Sequence, residues 1–298
     1  MAAPKKTVLI TGCSDGGLGA HLALAFHNAG WRVFASGRNL AKLSVVQQAG
    51  IETIPLDVLS DTSIAAAAAS ITQLTGGPLD ALVNNAGQGY SMPVLDLDLA
   101  TARAVFDINV WSLVAVTRAF LPLLRAAPCG LLVNNTSMSS QIGATVPYTG
   151  AYSASKAAAA SLTEALRIEL VALGIRVINL QTGSVKSGFA GNRAAKAEIP
   201  ATSAFSPVKA EVEAAMAEGE IQDGDDPTVW AAAVVADLSR AEPPYWIWRG
   251  KFAALVRLTN FLPIGFMDGK MKKLSGLDTV ERKMLEHDKA AGGKVKGV

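Results

Sequence analysis

Short uninterrupted apolar runs recur along the chain, each followed by a longer stretch whose apolar residues repeat at helical spacing. Residues 7–10, 31–36, 51–56, 79–83, 130–134 and 175–180 and the aromatic stretch 245–248 read as strands. Residues 20–29, 40–49, 61–75, 99–125, 151–172 and 227–240 read as helices. Strands that are apolar without alternation are covered on both faces, as in a parallel sheet. One βα unit every 25 to 45 residues, roughly, argues for right-handed crossovers between parallel strands. Within this pattern Asp61 is placed to cap its helix, and Gly76-Gly77-Pro78 to end it. Pro122 should interrupt the 99–125 helix late, and Asn109 sits near its middle, where an amide that competes for backbone bonds invites a local or functional reason.

After residue 183 the regularity fails. Residues 188–224 are polar and rich in glycine and alanine, with a short helix expected over 208–217, and are long for a mere connection; such segments in enzymes are often lids. From Lys251 the chain is amphipathic, then charged.

Composition narrows the classes. Of 298 residues half are apolar and 17% charged, which suits a sheet buried on both faces. A net charge of +2 without long basic runs gives no footprint for nucleic acid. No Cys/His cluster suggests a metal, and Cys13 and Cys129 read as reduced thiols of a cytoplasmic protein, an expectation shared by the absence of an apolar leader in the first residues. No run of about 18 uncharged apolar residues marks a membrane span. The nearest stretch, 252–267, is broken by Arg257 and Pro263 and at most lies on a membrane surface, so peripheral contact is possible but not expected.

The chemistry concentrates in Tyr152 and Lys156. Four residues apart on a helix, the two side chains share one face, and an ammonium beside a phenol should ease its ionisation, which normally occurs near 10. That is the equipment of a general acid or base. The first βα junction carries a glycine-rich turn, Gly12 to Gly19, where backbone and helix N-terminus can approach a phosphate. At the end of the second strand, where a carboxylate would bind the ribose hydroxyl of NAD(H), the chain offers Ser36 and Arg38 instead, which favours NADP(H). Asp57 and the turn Asn84-Asn85-Ala86-Gly87 end later strands, where an adenine and its ribose would lie. A solvated loop arginine and ordinary turn residues are the competing accounts.

Over roughly residues 7–187 these motifs resemble the short-chain dehydrogenase/reductase family. Four signatures occur in the family's order: Thr11-Gly12 with Gly16 and Gly19, Asn84-Asn85-Ala86-Gly87, the helix asparagine Asn109, and a serine ahead of Tyr152 and Lys156. The glycine turn is one residue longer before Gly19 than usual, and this variant looks like the subgroup that includes 1-acyl-dihydroxyacetone-phosphate reductases and fungal biosynthetic ketoreductases. The resemblance implies a single Rossmann-type α/β domain, doubly wound, with seven parallel strands in the order 3-2-1-4-5-6-7 and helices on both faces. Residues 7–187 would form the core, 188–224 a lid and 225–298 an extension that shapes the substrate pocket.

It also implies roles. Tyr152 would exchange a proton with a carbonyl oxygen as hydride arrives, Lys156 would lower its pKa and hold the nicotinamide ribose, and Asn109 would position a water leading to solvent. The serine that holds the substrate oxygen is Ser137 by strand register or Ser139 by spacing, 13 residues before Tyr152; Ser137 is preferred because register fixes side-chain direction. Gly12, Ser14, Gly16, Leu18 and Gly19 would line the pyrophosphate, Ser36, Arg38, Asp57 and Val58 the adenosine, and Asn84, Ala86 and Gly87 the ribose. Thr182, Gly183, Val185 and Ser187 would line the nicotinamide, with Thr182 standing where the family usually has proline. The expected activity is NADPH-dependent reduction of a ketone or aldehyde on a fairly apolar small molecule, its apolar character inferred only from Trp230, Tyr245, Trp246, Trp248, Phe252 and Phe261, for which a place in the core is the equal alternative. Alternatives are reduction of 1-acyl-dihydroxyacetone phosphate at a lipid surface, with Lys251 and Arg257 meeting phosphate, and a silent NADP(H)-binding sensor. Helices 99–125 and 151–172 form a dimer face in many relatives, which leaves a homodimer open.

Overall fold

Seven strands, paired parallel throughout, make up the one sheet of the computed structural model, which describes residues 5–196, 198–218 and 223–290. They are β1 (Thr7–Ile10), β2 (Arg32–Gly37), β3 (Glu52–Pro55), β4 (Ala81–Asn84), β5 (Leu131–Asn135), β6 (Arg176–Thr182) and β7 (Trp246–Arg249), in the order β3-β2-β1-β4-β5-β6-β7. Both the sheet order and the parallel sense match the expected doubly wound fold. The register sets Ile10 beside Val83, Val83 beside Val133 and Val133 beside Ile178, so the carboxyl ends of four central strands stand in line.

Alternate side chains leave a strand on opposite faces, and each face here has its own core. Val8, Ile10, Val83, Val133 and Ile178 pack with Leu22 and Phe26 of α1 (Leu18–Asn28) and with Trp230 and Val234 of α8 (Pro227–Leu238). Leu9, Leu82, Leu132 and Val177 pack on the other side with Ile64 and Ile71 of α3 (Asp61–Thr75) and with Val116 and Phe120 of α5 (Ser112–Ala126). A third apolar cluster lies outside the sheet. In it Tyr90, Met92 and Tyr148 meet Val212 and Met216 of α7 (Lys209–Glu218) and Val280 of α11 (Leu277–Ala290). The expected short helix of the 188–224 segment is therefore anchored by apolar burial to the carboxyl-terminal helix, and the segment is not a bare loop.

Some local expectations need correction. Ser60, not Asp61, caps α3: its hydroxyl accepts the amide of Ser63 at 3.3 Å, while Asp61 is the acid of the first turn. Residues 40–49 form a 3₁₀ turn and a short helix α2 (Ser44–Gln48), not one helix. Pro122 does not interrupt the long helix, which runs on to Ala126; the break comes earlier, between α4 (Leu99–Phe106) and α5, as a π turn over Asp107–Trp111. There Ser112 Oγ donates to the Ile108 carbonyl at 2.7 Å, and the wide turn swings Asn109 toward the site. The whole 99–126 stretch is long and apolar enough to cross a membrane, but its apolar face, including Val105, Val116, Phe120 and Leu124, is spent on the cores.

The remaining long helix, α6 (Gly150–Glu169), carries Tyr152 and Lys156. It is tied to the sheet through buried polar side chains. Asn134 on β5, fully buried, donates to Thr163 Oγ1 on α6 at 3.0 Å and accepts from Asn84 Nδ2 on β4 at 2.9 Å; Asn84 also donates to Thr117 on α5. Replacing Asn134 by alanine breaks two buried hydrogen bonds, although Asn84 keeps Thr117 and Thr163 keeps the Ala159 carbonyl, so the unfolding free energy should fall by about 1–3 kcal/mol from the lost bonds and packing. Urea denaturation of wild type and Asn134→Ala checks this.

Candidate active site

The carboxyl edge of the sheet is finished by a second line of polar side chains. Thr182 Oγ1 donates to Asn135 Oδ1 at 2.5 Å, Asn135 Nδ2 donates to Asn85 Oδ1 at 2.9 Å, and Asn85 Nδ2 donates to the Thr11 carbonyl at 2.9 Å. Thr11 Oγ1 in turn accepts the backbone amides of Asn85 and Ala86. This chain joins the ends of β6, β5, β4 and β1 into a single floor. Asn85 and Asn135 were not given an individual role from the sequence, although their positions just after β4 and at the end of β5 are the signal that finds them. Thr182, the departure from the family's usual proline, begins the line with its hydroxyl.

Over this floor lie Ser137, Tyr152 and Lys156. Ser137 follows β5 and caps a 3₁₀ turn, its Oγ accepting the Ser139 amide at 3.1 Å; it also hydrogen-bonds the Tyr152 phenol. Ser139 supplies only its backbone to this arrangement. Lys156, 6% exposed, donates from Nζ to the Asn135 carbonyl at 3.0 Å and lies 6.0 Å from the centre of the Tyr152 ring. A β carbon on Gly87 would sit 3.0 Å from Asn109 Oδ1 and 3.5 Å from Lys156 Nζ, so the missing side chain leaves room for both. Asn109 Oδ1 accepts the Gln88 amide at 2.8 Å, and its Nδ2 donates to Ser155 Oγ at 2.9 Å. The asparagine thereby links the loop after β4 to α6. Tyr148, with φ of 66° in the left-handed region, turns the chain just before α6 begins, a strained conformation held by its buried ring.

Burial governs the titration of both key groups. It pushes the Lys156 ammonium from 10.5 down to about 8. It also raises the Tyr152 phenol above its ordinary 10, with the Ser137 hydrogen bond pulling the other way. The lowering expected from Lys156 is not found: desolvation raises the phenol, because a buried phenolate loses more hydration than the Ser137 hydrogen bond returns. The phenol keeps its proton at neutral pH in this environment.

A strap crosses the crevice. The Gly188 amide donates to the Gly16 carbonyl at 2.9 Å on one bank, while on the other Asn192 Nδ2 donates to the Gly87 carbonyl and the Ala194 amide to Gly89, both at 2.8 Å. Between them the Phe189 ring packs on Tyr152 with centroids 5.7 Å apart. Phe189 is a further residue that sequence reasoning missed, since nothing in its neighbourhood marks it. The aromatics expected at the pocket lie elsewhere. Trp230 is core, Trp246 stacks on Trp248 and donates to Glu164, and Tyr245 sits between Arg167 and Arg176. Phe261 is 83% exposed.

Most residues assigned to the dinucleotide lie at or just beyond the carboxyl ends of the strands. Gly17 caps α1 without offering a side chain, so the helix N-terminus is free to face an anion. Gly12 takes φ of 72°, and a β carbon there would meet Ala86 Cα at 2.9 Å; Gly16, at 74°, faces open space. Gly19 packs under Gly12 and Asn85, and Leu18 leans on the core. Ser14 is exposed, and Asp15 accepts from the Ser44 hydroxyl and the Val45 and Ser44 amides, which holds its carboxyl below the usual range. Arg38 is exposed with no partner among the described residues. Ser36 lies at the same strand end, but its hydroxyl is turned inward to the Ile10 carbonyl at 2.9 Å. Asp57 caps its own turn through Leu59, and Val58 is buried. Asn84 points into the core, whereas Ala86 and Gly87 remain at the edge. Gly183 is bound through its amide to Arg249, Val185 pairs beside Asp225, and Ser187 Oγ accepts the Phe189 amide.

Comparison with known proteins agrees. The family model for short chain dehydrogenases matches residues 6–198. A short-chain dehydrogenase/reductase of Pestalotiopsis microspora is 45% identical over 95% of this chain and 99% of its own. An NADPH-dependent 1-acyldihydroxyacetone phosphate reductase of Schizosaccharomyces pombe is 32% identical over 87% of this chain and 90% of its own. Among solved structures, a short-chain dehydrogenase of Streptomyces avermitilis superposes with a TM-score of 0.73 at 28% identity, covering 94% of this chain and 98% of that one. A short chain dehydrogenase of Burkholderia cenocepacia in complex with NADP gives 0.69 at 25% identity, covering 91% and 99%. The chain belongs to the short-chain dehydrogenase/reductase family, oxidoreductases that act on CH–OH and carbonyl groups with a nicotinamide dinucleotide.

Proposed function

We propose that this chain is an NADPH-dependent reductase of a ketone or aldehyde carbonyl on a fairly apolar small molecule. The observation that carries the reading is the convergence of Ser137, Tyr152 and Lys156 over the strand ends. NADPH, when bound, supplies the hydride that the carbonyl carbon receives. The Ser137 hydroxyl orients the carbonyl oxygen, and Tyr152 delivers its phenolic proton to that oxygen, giving the alcohol. A phenolate left behind is stabilised by the Ser137 hydrogen bond and by Lys156 while the amine is protonated, below about pH 8. In the alcohol-to-carbonyl direction the same groups take the proton back. Asn109 is a positioning residue that sets Lys156 and the loop after β4, and residues 188–224 act as a lid whose Phe189 excludes water from Tyr152.

Preference for the phosphorylated cofactor is supported by Arg38, exposed at the end of β2 where no carboxylate follows. Apolar character of the substrate is supported by Phe189 rather than by the β7 aromatics. Reduction of 1-acyl-dihydroxyacetone phosphate through Lys251 has less support, because that lysine is paired with Asp223. A second copy of the chain would find exposed Trp111, Ile168 and Val171 beside and along α6.

A panel of ketones and aldehydes with NADPH, followed at the cofactor's absorbance, tests the activity. Tyr152→Phe should keep NADPH binding while kcat falls by about 10²–10⁴-fold, the usual worth of a general acid; undiminished turnover would assign the proton to another group. Arg38→Asp should lower the NADPH/NADH ratio of kcat/KM by at least about tenfold, the value of one charge-assisted hydrogen bond. An unchanged ratio would place the 2′-phosphate elsewhere.

A further inference from the structure

The connection from α9 (Ala253–Thr259) to α10 (Asp268–Leu274) presents a run of exposed apolar side chains. Phe261 is 83% exposed, Ile264 81% and Phe266 67%, and Leu258 in the last turn of α9 is 60% exposed. Ile142, 79% exposed, lies across from them in the segment that follows Ser137. A water-facing run of this kind has no account in the packing of the chain, since the cores beneath it are closed without these side chains.

Cations flank the run. Arg257, Lys270 and Lys273 are exposed and have no ion-pair partner among the described residues, and only Lys272 is committed, to Glu281. Asp268 is the one acid in residues 253–275. Two copies of this face would bring like charges together, whereas an anionic lipid surface answers both features, taking the apolar side chains below its headgroups and the cations among them.

We propose that the α9–α10 connection docks the protein on an anionic lipid surface. A cavity of about 260 Å³ opens beside it, walled by Gln141, Ile142 and Gly143 on one side and by Asn260, Leu262 and Ile264 on the other. Asn260 Nδ2 donates to Gln141 Oε1 at 2.9 Å, which ties the docking segment to the turn that follows Ser137. An apolar substrate dissolved in the lipid therefore reaches the protein next to the site; this corollary rests on the reductase reading, while the docking itself does not.

Flotation with vesicles of equimolar phosphatidylcholine and phosphatidylserine, and with phosphatidylcholine alone, tests the docking. The full chain should float with the mixed vesicles and bind the neutral ones more weakly, with each free cation worth about fivefold in affinity at low salt. Phe261→Ser combined with Phe266→Ser should weaken binding by at least about tenfold, and so should Arg257→Glu combined with Lys273→Glu. These four side chains are exposed and outside the catalytic group, so both double variants should keep wild-type far-ultraviolet circular dichroism and thermal midpoint, which separates lost docking from lost folding. Wild-type protein that stays with the buffer, or binding that neither variant diminishes, overturns the proposal. So does concentration-dependent self-association that the phenylalanine variant abolishes in the absence of vesicle binding, which would assign the face to a second copy.

Discussion

Buried polar groups must find partners, and at the carboxyl edge of this sheet that requirement builds the site. Two layers of side-chain hydrogen bonds cross the central strands there. The lower one, through Thr117, Asn84, Asn134 and Thr163, fastens α5 and α6 to the sheet from within the core. The upper one, through Thr182, Asn135, Asn85 and Thr11, levels the strand ends into a floor. Lys156 reads the position of that floor directly, because its ammonium is held by the Asn135 carbonyl. The helix that bears Tyr152 is thus located by hydrogen bonds on both sides of the strand termini.

The same burial that demands these bonds sets the chemistry. In the proposed reduction, a phenol kept above its ordinary pKa would hold its proton until a carbonyl oxygen gains charge, and a lysine brought down to about 8 keeps its charge only conditionally. The strap from Gly188 to Ala194 preserves the low dielectric on which both shifts depend, with Phe189 against the tyrosine ring. Its anchoring through α7 and α11 gives the strap a packed base, so that closure is a property of folded structure and not of a bare loop.

Much of this was legible in the sequence. Strand runs such as 7–10 and the expected 130–134 carry consecutive apolar residues because both faces are covered, and the Tyr152–Lys156 spacing is a local pattern that tertiary context does not alter. What escaped notice depends on direction or on distance. Asn84 and Asn85 are adjacent in the chain, yet strand alternation sends one to the core and the other to the crevice. Ser36 lies at the expected strand end with its hydroxyl turned to Ile10. Phe189 reaches Tyr152 only because a polar segment folds back over the sheet, and the β7 tryptophans brace α6 through Glu164 instead of lining a pocket. Pro122 sits within a helix that tertiary packing carries through it, while the break at Asn109 follows from a wide turn that no single residue announces.

The account stands on Ser137 and Tyr152 acting on one oxygen as a unit. A double-mutant cycle on kcat/KM for a reduced carbonyl compound, with Ser137→Ala, Tyr152→Phe and the pair, measures that coupling most directly. If the two hydroxyls form one device, the double variant should be about as slow as Tyr152→Phe alone. Losses that multiply, so that the double variant falls by the product of the single effects, would contradict it.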